Sequence, residues 1–321
     1  MSYLVNDGIA QSNSLEEERS NAIVYWALAG LVCCVFSASV FGQWILSDIH
    51  FSTVPITAAD EVSDAQILRI RIVEVLSSLV ALAALGFYCL RPVLQGKSIP
   101  MEGLLLFGAI VSYVLDTSIN YFDYYMAWNK HGINWGTWGA FFPGHTGPTN
   151  YAESLFWGVP MYLYFGVALA SIQLFVVKHL RNVFNCGFMV ALLCSFPVVF
   201  LFDLVAESTI IRTGAYSFPN TIGALTVWKG SQFQFPLYES FMVGIYVSMY
   251  SMLMHYRDAN GLTIIERGLD RFSFGAKFPL RFFAACAFSM LCTGVYFGGF
   301  NLFAMFSDNL ITLPEYMMYG R

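Results

Sequence analysis

Apolar residues in this chain gather in seven long blocks, at 22–46, 71–92, 102–127, 153–177, 186–206, 236–256 and 282–306, with short polar stretches between them. A hydrocarbon layer takes about 20 residues of α-helix to cross, so the pattern predicts an all-α, polytopic membrane bundle of about seven transmembrane helices. The connections at 47–70, 128–152, 207–235 and 257–281 are too short for a separate soluble domain. Residues 1–321 therefore read as a single integral membrane domain, with a polar tail at 1–20 and the bundle at 22–306. The tail is acidic at Glu16-Glu17-Glu18, and the first block carries no charge from Ala22 to Leu46. A cleavable signal starts basic and has a shorter apolar stretch, so this block is expected to remain as the first membrane helix.

The polar connections differ in kind. In the sixth, Leu262, Ile265 and Leu269 share one helical face and Glu266, Arg267 and Asp270 the other, which predicts an amphipathic helix lying at the interface over 262–273. The third connection holds Trp128, Trp135, Trp138, Phe141, Phe142 and Tyr151, and the fifth Tyr216, Phe218, Trp228, Phe233 and Phe235. Such loops either fold back as an aromatic lid or supply the interfacial belt of a membrane protein. With seven crossings, the side carrying the N-terminus holds ten of the 16 Lys and Arg residues. Cytoplasmic loops accumulate these cations, which places the N-terminus in the cytoplasm and the C-terminus outside.

Composition sharpens this picture. Hydrophobic residues make up 57% of the chain and charged residues 12%, against about 25% charged in soluble domains, which excludes a soluble protein. The net charge of −5 and the lack of a basic cluster interleaved with aromatics exclude nucleic acid as a partner. All seven cysteines sit in apolar blocks and read as packing residues rather than as a disulfide framework or zinc cage. The last block has no lysine for a retinal Schiff base, and H-E-x-x-H is absent. The expected partners are the lipid bilayer and a lipophilic small molecule; no metal, cofactor or protein partner is called for.

Ionisable groups inside a span cost several kcal/mol and need a partner, a wet cavity or a function. Here Asp116, Asp123, Glu153, Asp203, Glu207 and Glu239 all fall toward one end of the predicted bundle. Helical spacing lines up Asp116, Asn120 and Asp123; Asp203 and Glu207; Glu153, Trp157, Pro160 and Tyr164; and Glu239, Val243, Tyr246 and Tyr250. Four such stripes turned inward enclose one cavity, around which Pro160 and Pro197 bend their helices. Carboxyls crowded in a partly dry space cannot all ionise cheaply. A protonated acid beside an ionised one is the pairing used in general acid and base catalysis without a cofactor. His145 stands eight residues before Glu153 as a second proton carrier or a structural loop histidine. Asn120, Trp157, Tyr164, Tyr216 and Tyr246 are the candidate substrate contacts. Arg71 and Glu74 read as a local pair, and Arg212 as a possible partner for Glu207.

These residues resemble the AveC-type spirocyclases, integral membrane proteins named for the spiroketal-forming protein of avermectin biosynthesis. The likeness rests on Asp116, on Pro143-Gly144-His145 followed by Glu153, on Asp203-Leu-Val-Ala-Glu207 with Gly214-Ala-Tyr216, on Phe235-Pro236-Leu-Tyr-Glu239, and on Gly261-x-Thr263-x-x-Glu266-Arg267-Gly268-x-Asp270-Arg271. It runs over roughly residues 100 to 275 and departs at Thr117, where many relatives have proline. The resemblance implies acid-assisted closure of a dihydroxy-ketone to a spiroketal, with dehydration as an associated activity, on a polyketide-like or terpenoid substrate. It assigns proton donation to Glu207 or Glu239, hydroxyl activation and cation stabilisation to Asp116 and Asp203, and positioning to His145 and Glu153. Trp157 and Tyr216 would stabilise the cationic intermediate. The alternatives are a proton-coupled transporter or lipophile-binding protein using the same acids as relays, and a receptor or scaffold in which they only join helices.

Overall fold

The computed structural model describes residues 21–319; the polar tail and Arg321 lie outside them. Seven helices form the bundle: α1 (Ala22–Ile45), α2 (Asp64–Leu94), α3 (Met101–Asn120), α4 (Leu155–Phe184), α5 (Phe188–Ile211), α6 (Leu237–His255) and α7 (Phe274–Ala304). Six are long and apolar enough to span a membrane, which supports an integral membrane protein. The exception is α6, whose 19 residues include Tyr238, Glu239, Ser240, Tyr246, Tyr250 and Ser251, all buried. It packs against α4, α5 and α7, so its polar groups meet protein rather than lipid and its mean hydropathy is lower.

Association of apolar helices in lipid relies on close packing and on polar contacts between them. Gly30 on α1 lies so near α7 that a Cβ there would sit 1.7 Å from the Phe283 carbonyl oxygen. Gln173 of α4 donates to Ser248 at 3.1 Å and accepts from Ser251 at 2.7 Å, joining α4 to α6. Pro160 lacks the N–H that would bond the Phe156 carbonyl. On α2, Ser78 donates to that carbonyl at 3.4 Å and Ser77 to the Trp157 carbonyl at 3.1 Å, so the interruption in α4 is sealed by its neighbour.

Helix edges move where capping outweighs hydropathy. Ser63 caps α2 by accepting from the Gln66 amide, so that helix starts at Asp64 rather than 71. Over 262–273 the chain makes two short 3-10 turns, Ile264–Glu266 and Leu269–Arg271, instead of the expected interfacial helix. Gly268 breaks the run at φ 85°, and Glu266 is buried, capping Thr263 and pairing with Arg281 at 2.6 Å. The segment is thus a clamp between the loop and α7.

The third and fifth connections fold back over one end of the bundle. Ala127–Trp128 pairs antiparallel with Tyr216–Ser217, Thr226–Val227 with Phe235–Pro236, and Asn220–Thr221 with Asn309–Leu310 beyond α7. Trp128, Trp138, Tyr151, Tyr216, Phe218 and Phe235 are fully buried inside this cap, whereas Trp135 and Trp228 stay exposed. Most of the loop aromatics therefore build a lid. Ion pairs pin it down: Lys130 to Asp60 at 2.8 Å, and Arg71 to Glu74 at 2.5 Å, with Glu74 also accepting from the Ile133 amide.

Candidate active site

Beneath the cap, α3 changes from α to 3-10 geometry over Tyr113–Asn120. In that geometry residues three apart stack on one side, and Asp116 and Ile119 both face the same cavity. Asp116 Oδ1 accepts the Tyr162 hydroxyl of α4 at 2.6 Å. Glu153, fully buried in the loop before α4, accepts the Tyr113 hydroxyl at 3.4 Å and stands beside the Asp116 carboxyl.

A second set stands on α5 and α6. Asp203 accepts the Ser240 hydroxyl at 2.6 Å and stands beside Glu239. Glu239 Oε1 accepts the Tyr296 hydroxyl of α7 at 2.7 Å. Glu207, one turn beyond Asp203, accepts the hydroxyl of Tyr216 from the cap. Buried oxygens Asp116 Oδ2, Glu153 Oε2 and Glu239 Oε2 receive no N–H or hydroxyl donor among the described residues.

The cavity between these sets has a volume of about 50 Å³ and is bordered by Asp116, Glu207 and Glu239. Its remaining wall is mostly aromatic, with Trp128, Trp157, Tyr162, Phe165, Phe218, Tyr246, Tyr296 and Phe297, and among the described residues no basic side chain borders it. Arg212 does not pair with Glu207; it donates to the Ser208 carbonyl at 2.8 Å and lies 4.1 Å over the Trp228 ring.

Residues 97–313 match the family described as spirocyclase AveC-like. The chain belongs to this family. No curated protein and no solved structure matches it. The span shared with the AveC-like spirocyclases begins after α2 and contains Asp116, Glu153, Asp203, Glu207 and Glu239. Membership suggests an enzyme with a cyclase- or dehydratase-type role in secondary metabolism.

Of the residues singled out in this AveC-like sequence, Asp116, Glu207, Glu239, Trp157 and Tyr246 border the cavity. Glu153 and Asp203 stand behind it, beside Asp116 and Glu239, and Tyr216 backs Trp157 with ring centroids 5.1 Å apart. Asn120, expected to meet substrate, is instead used up by backbone: Oδ1 accepts from the Tyr125 and Met126 amides at 2.9 and 2.8 Å, and Nδ2 donates to the Met126 carbonyl. That turn sets Met126 and Trp128 into the cavity wall. Tyr164 points to Ser77 on α2, 3.3 Å away. His145 stays in its own loop, with Nε2 3.1 Å from the Pro148 carbonyl; partial burial pushes its pKa below the usual imidazole range despite that carbonyl. Asp123 lies past the end of α3, exposed, accepting from the Tyr124 amide and from Asn220.

Tyr162, Tyr296, Tyr113 and Ser240, which hold the acids in place, were not singled out by spacing between acids. Their signal is a different one: a tyrosine in an apolar span needs a partner for its hydroxyl, and the nearby acids are those partners.

Proposed function

We propose that this protein is a cofactor-independent acid–base cyclase that closes a lipophilic dihydroxy-ketone, polyketide-like or terpenoid, to a spiroketal. The observation that carries this reading is the placing of two carboxyl sets, Asp116 with Glu153 and Asp203 with Glu239, beside one aromatic cavity. Glu239 or Glu207 gives a proton to the ketone oxygen while one substrate hydroxyl adds to the carbonyl carbon and passes its proton to Asp116. The resulting hemiketal hydroxyl takes up a proton and leaves as water, forming an oxocarbenium ion. The second hydroxyl then bonds to that carbon and returns its proton to a carboxylate, so the net change is loss of one water. Glu153 and Asp203 act as positioning residues behind Asp116 and Glu239.

The charge bias of the loops supports a cytoplasmic N-terminus and a cavity near the extracytoplasmic face. Incubating the detergent-purified protein with an alkyl dihydroxy-ketone and following product by chiral chromatography tests the reaction. Cyclisation faster than in buffer and with one product stereoisomer in excess is expected. A wild-type rate matched by Asp116→Asn and Glu239→Gln would overturn the site. Uptake of the unchanged ketone into proteoliposomes, without product, would favour transport instead.

A further inference from the structure

The cavity is bordered by more carboxyl groups than a single proton transfer uses. Asp116, Glu207 and Glu239 border it, Glu153 and Asp203 stand behind, and among the described residues no lysine, arginine or histidine borders it. Asp116 and Glu239 are 7% and 4% exposed, and each keeps one buried oxygen without a donor. An unpartnered carboxyl oxygen in a dry space is costly, so each set is built to accept positive charge from whatever enters.

What kind of charge fits is decided by the rest of the wall. Among the described residues no three His, Cys, Asp or Glu side chains converge as a metal-ion site requires. The acids are instead separated by rings, including Trp128, Trp157, Tyr296 and Phe297. Rings attract organic cations, and do so more strongly when water is excluded. Carboxylates at the edges and aromatics between them match a bulky cation whose charge is spread over carbon, which has no hydrogen-bond donor for a carboxylate and a large apolar surface for the rings.

We infer that the cavity is a binding site for lipophilic organic cations, and that a quaternary ammonium shaped like the cyclised product occupies it in preference to its neutral carbon isostere. The inference rests on the cyclase reading only in that the oxocarbenium ion is such a cation. Binding itself requires no turnover.

The probes are a dimethylpiperidinium bearing an alkyl tail and the dimethylcyclohexane with the same tail. Both are titrated into the full-length protein in a nonionic detergent, with intrinsic tryptophan fluorescence and thermal shift as readouts. The cation is expected to bind at least about tenfold more tightly, as one or two desolvated cation–ring contacts supply. That preference is expected to fall severalfold in Asp116→Asn and in Glu239→Gln. Trp157→Tyr, which keeps a ring and the fold, is expected to retain most of it. Equal affinity for the two probes, or a preference unchanged in both acid variants, overturns the inference. Dihydroxy-ketone turnover in the same preparation separates the two readings. Turnover without cation preference removes the cation site and leaves the cyclase; cation preference without turnover does the reverse.

Discussion

Tyr296 of α7 donates its hydroxyl to Oε1 of Glu239 on α6 at 2.7 Å, and the other oxygen of that carboxyl has no such donor. The bond fixes one carboxyl oxygen and leaves the second to the neighbouring acid and the cavity. Removing the hydroxyl while keeping the ring, in Tyr296→Phe, deletes a hydrogen bond of the class worth about 1.5–3 kcal/mol when one partner is charged. Turnover is therefore expected to fall about tenfold or more, in kcat rather than KM, with little change in melting temperature. Product quantification by mass spectrometry across substrate concentrations checks this. An unchanged kcat would release Tyr296 from the site.

Asp116 and Glu153 stand side by side, yet only Asp116 borders the cavity. General acid–base groups contribute about 10²–10⁴-fold to rate, so Asp116→Asn is expected to lose at least about a hundredfold. Glu153→Gln keeps a side chain that can donate to Asp116 and accept from Tyr113, so its loss is expected to be smaller, about tenfold, together with an altered pH profile of turnover. Equal losses in the two variants, with equal KM values, would place both residues in direct contact with substrate.

Much of the fold was legible because lipid imposes a simple demand: seven apolar blocks became seven helices. The placing of acids at one end was also legible, since a charge in a span stands out. What escaped was set by geometry that spacing does not encode. Asp123 matches the α-helical stripe of Asp116 and Asn120, but α3 tightens to 3-10 at Tyr113 and ends at Asn120. Glu153 precedes α4, which starts at Leu155, so the stripe drawn from it selects Tyr164 when Tyr162 is the residue that meets Asp116. Partners from distant helices, such as Tyr296 for Glu239, follow from packing that one sequence does not display.

His145 shows how order along the chain misleads. It sits between the cavity-forming segments, but its ring is held by the Pro148 carbonyl and packs near Gly139 and Tyr121. His145→Gln, which retains a hydrogen-bonding side chain, is expected to keep turnover within about twofold, the spread of surface substitutions of up to 0.5 kcal/mol. A loss approaching that of Asp116→Asn, in protein of normal melting temperature, would bring His145 back into the chemistry.

Gly30 allows α1 to touch the backbone of α7 at Phe283. Adding a side chain forces the helices apart, and overpacking of this kind costs about 1–3 kcal/mol. Gly30→Val is therefore expected to lower the midpoint of unfolding by sodium dodecyl sulfate. Gly42→Val, on the same helix with open space around its Cβ position, serves as the control. Equal midpoints for the two variants would contradict the close crossing.

One of the ion pairs that pin the cap, Lys130 with Asp60, is buried on both sides and has a defined pH response. Asp60 accepts from Lys130 Nζ and the Thr57 amide at 2.8 Å and from the Thr57 hydroxyl at 2.9 Å. Burial opposes its ionisation, but Lys130 and Thr57 outweigh burial and hold the carboxyl below its ordinary range. A carboxyl with a lowered folded pKa contributes stability above its unfolded value, about pH 3.9, and loses it as the pH falls through the folded value. Hydrogen-exchange protection of residues 128–152 is thus expected to hold from neutral pH to about pH 4 and to decline below it. Asp60→Asn leaves Lys130 buried without its charge partner, a change of about 3 kcal/mol, so the same residues are expected to exchange faster already at neutral pH. Protection that stays flat below about pH 4 in the native protein, or that survives Asp60→Asn, would mean that the aromatic strands hold the lid without the ion pair.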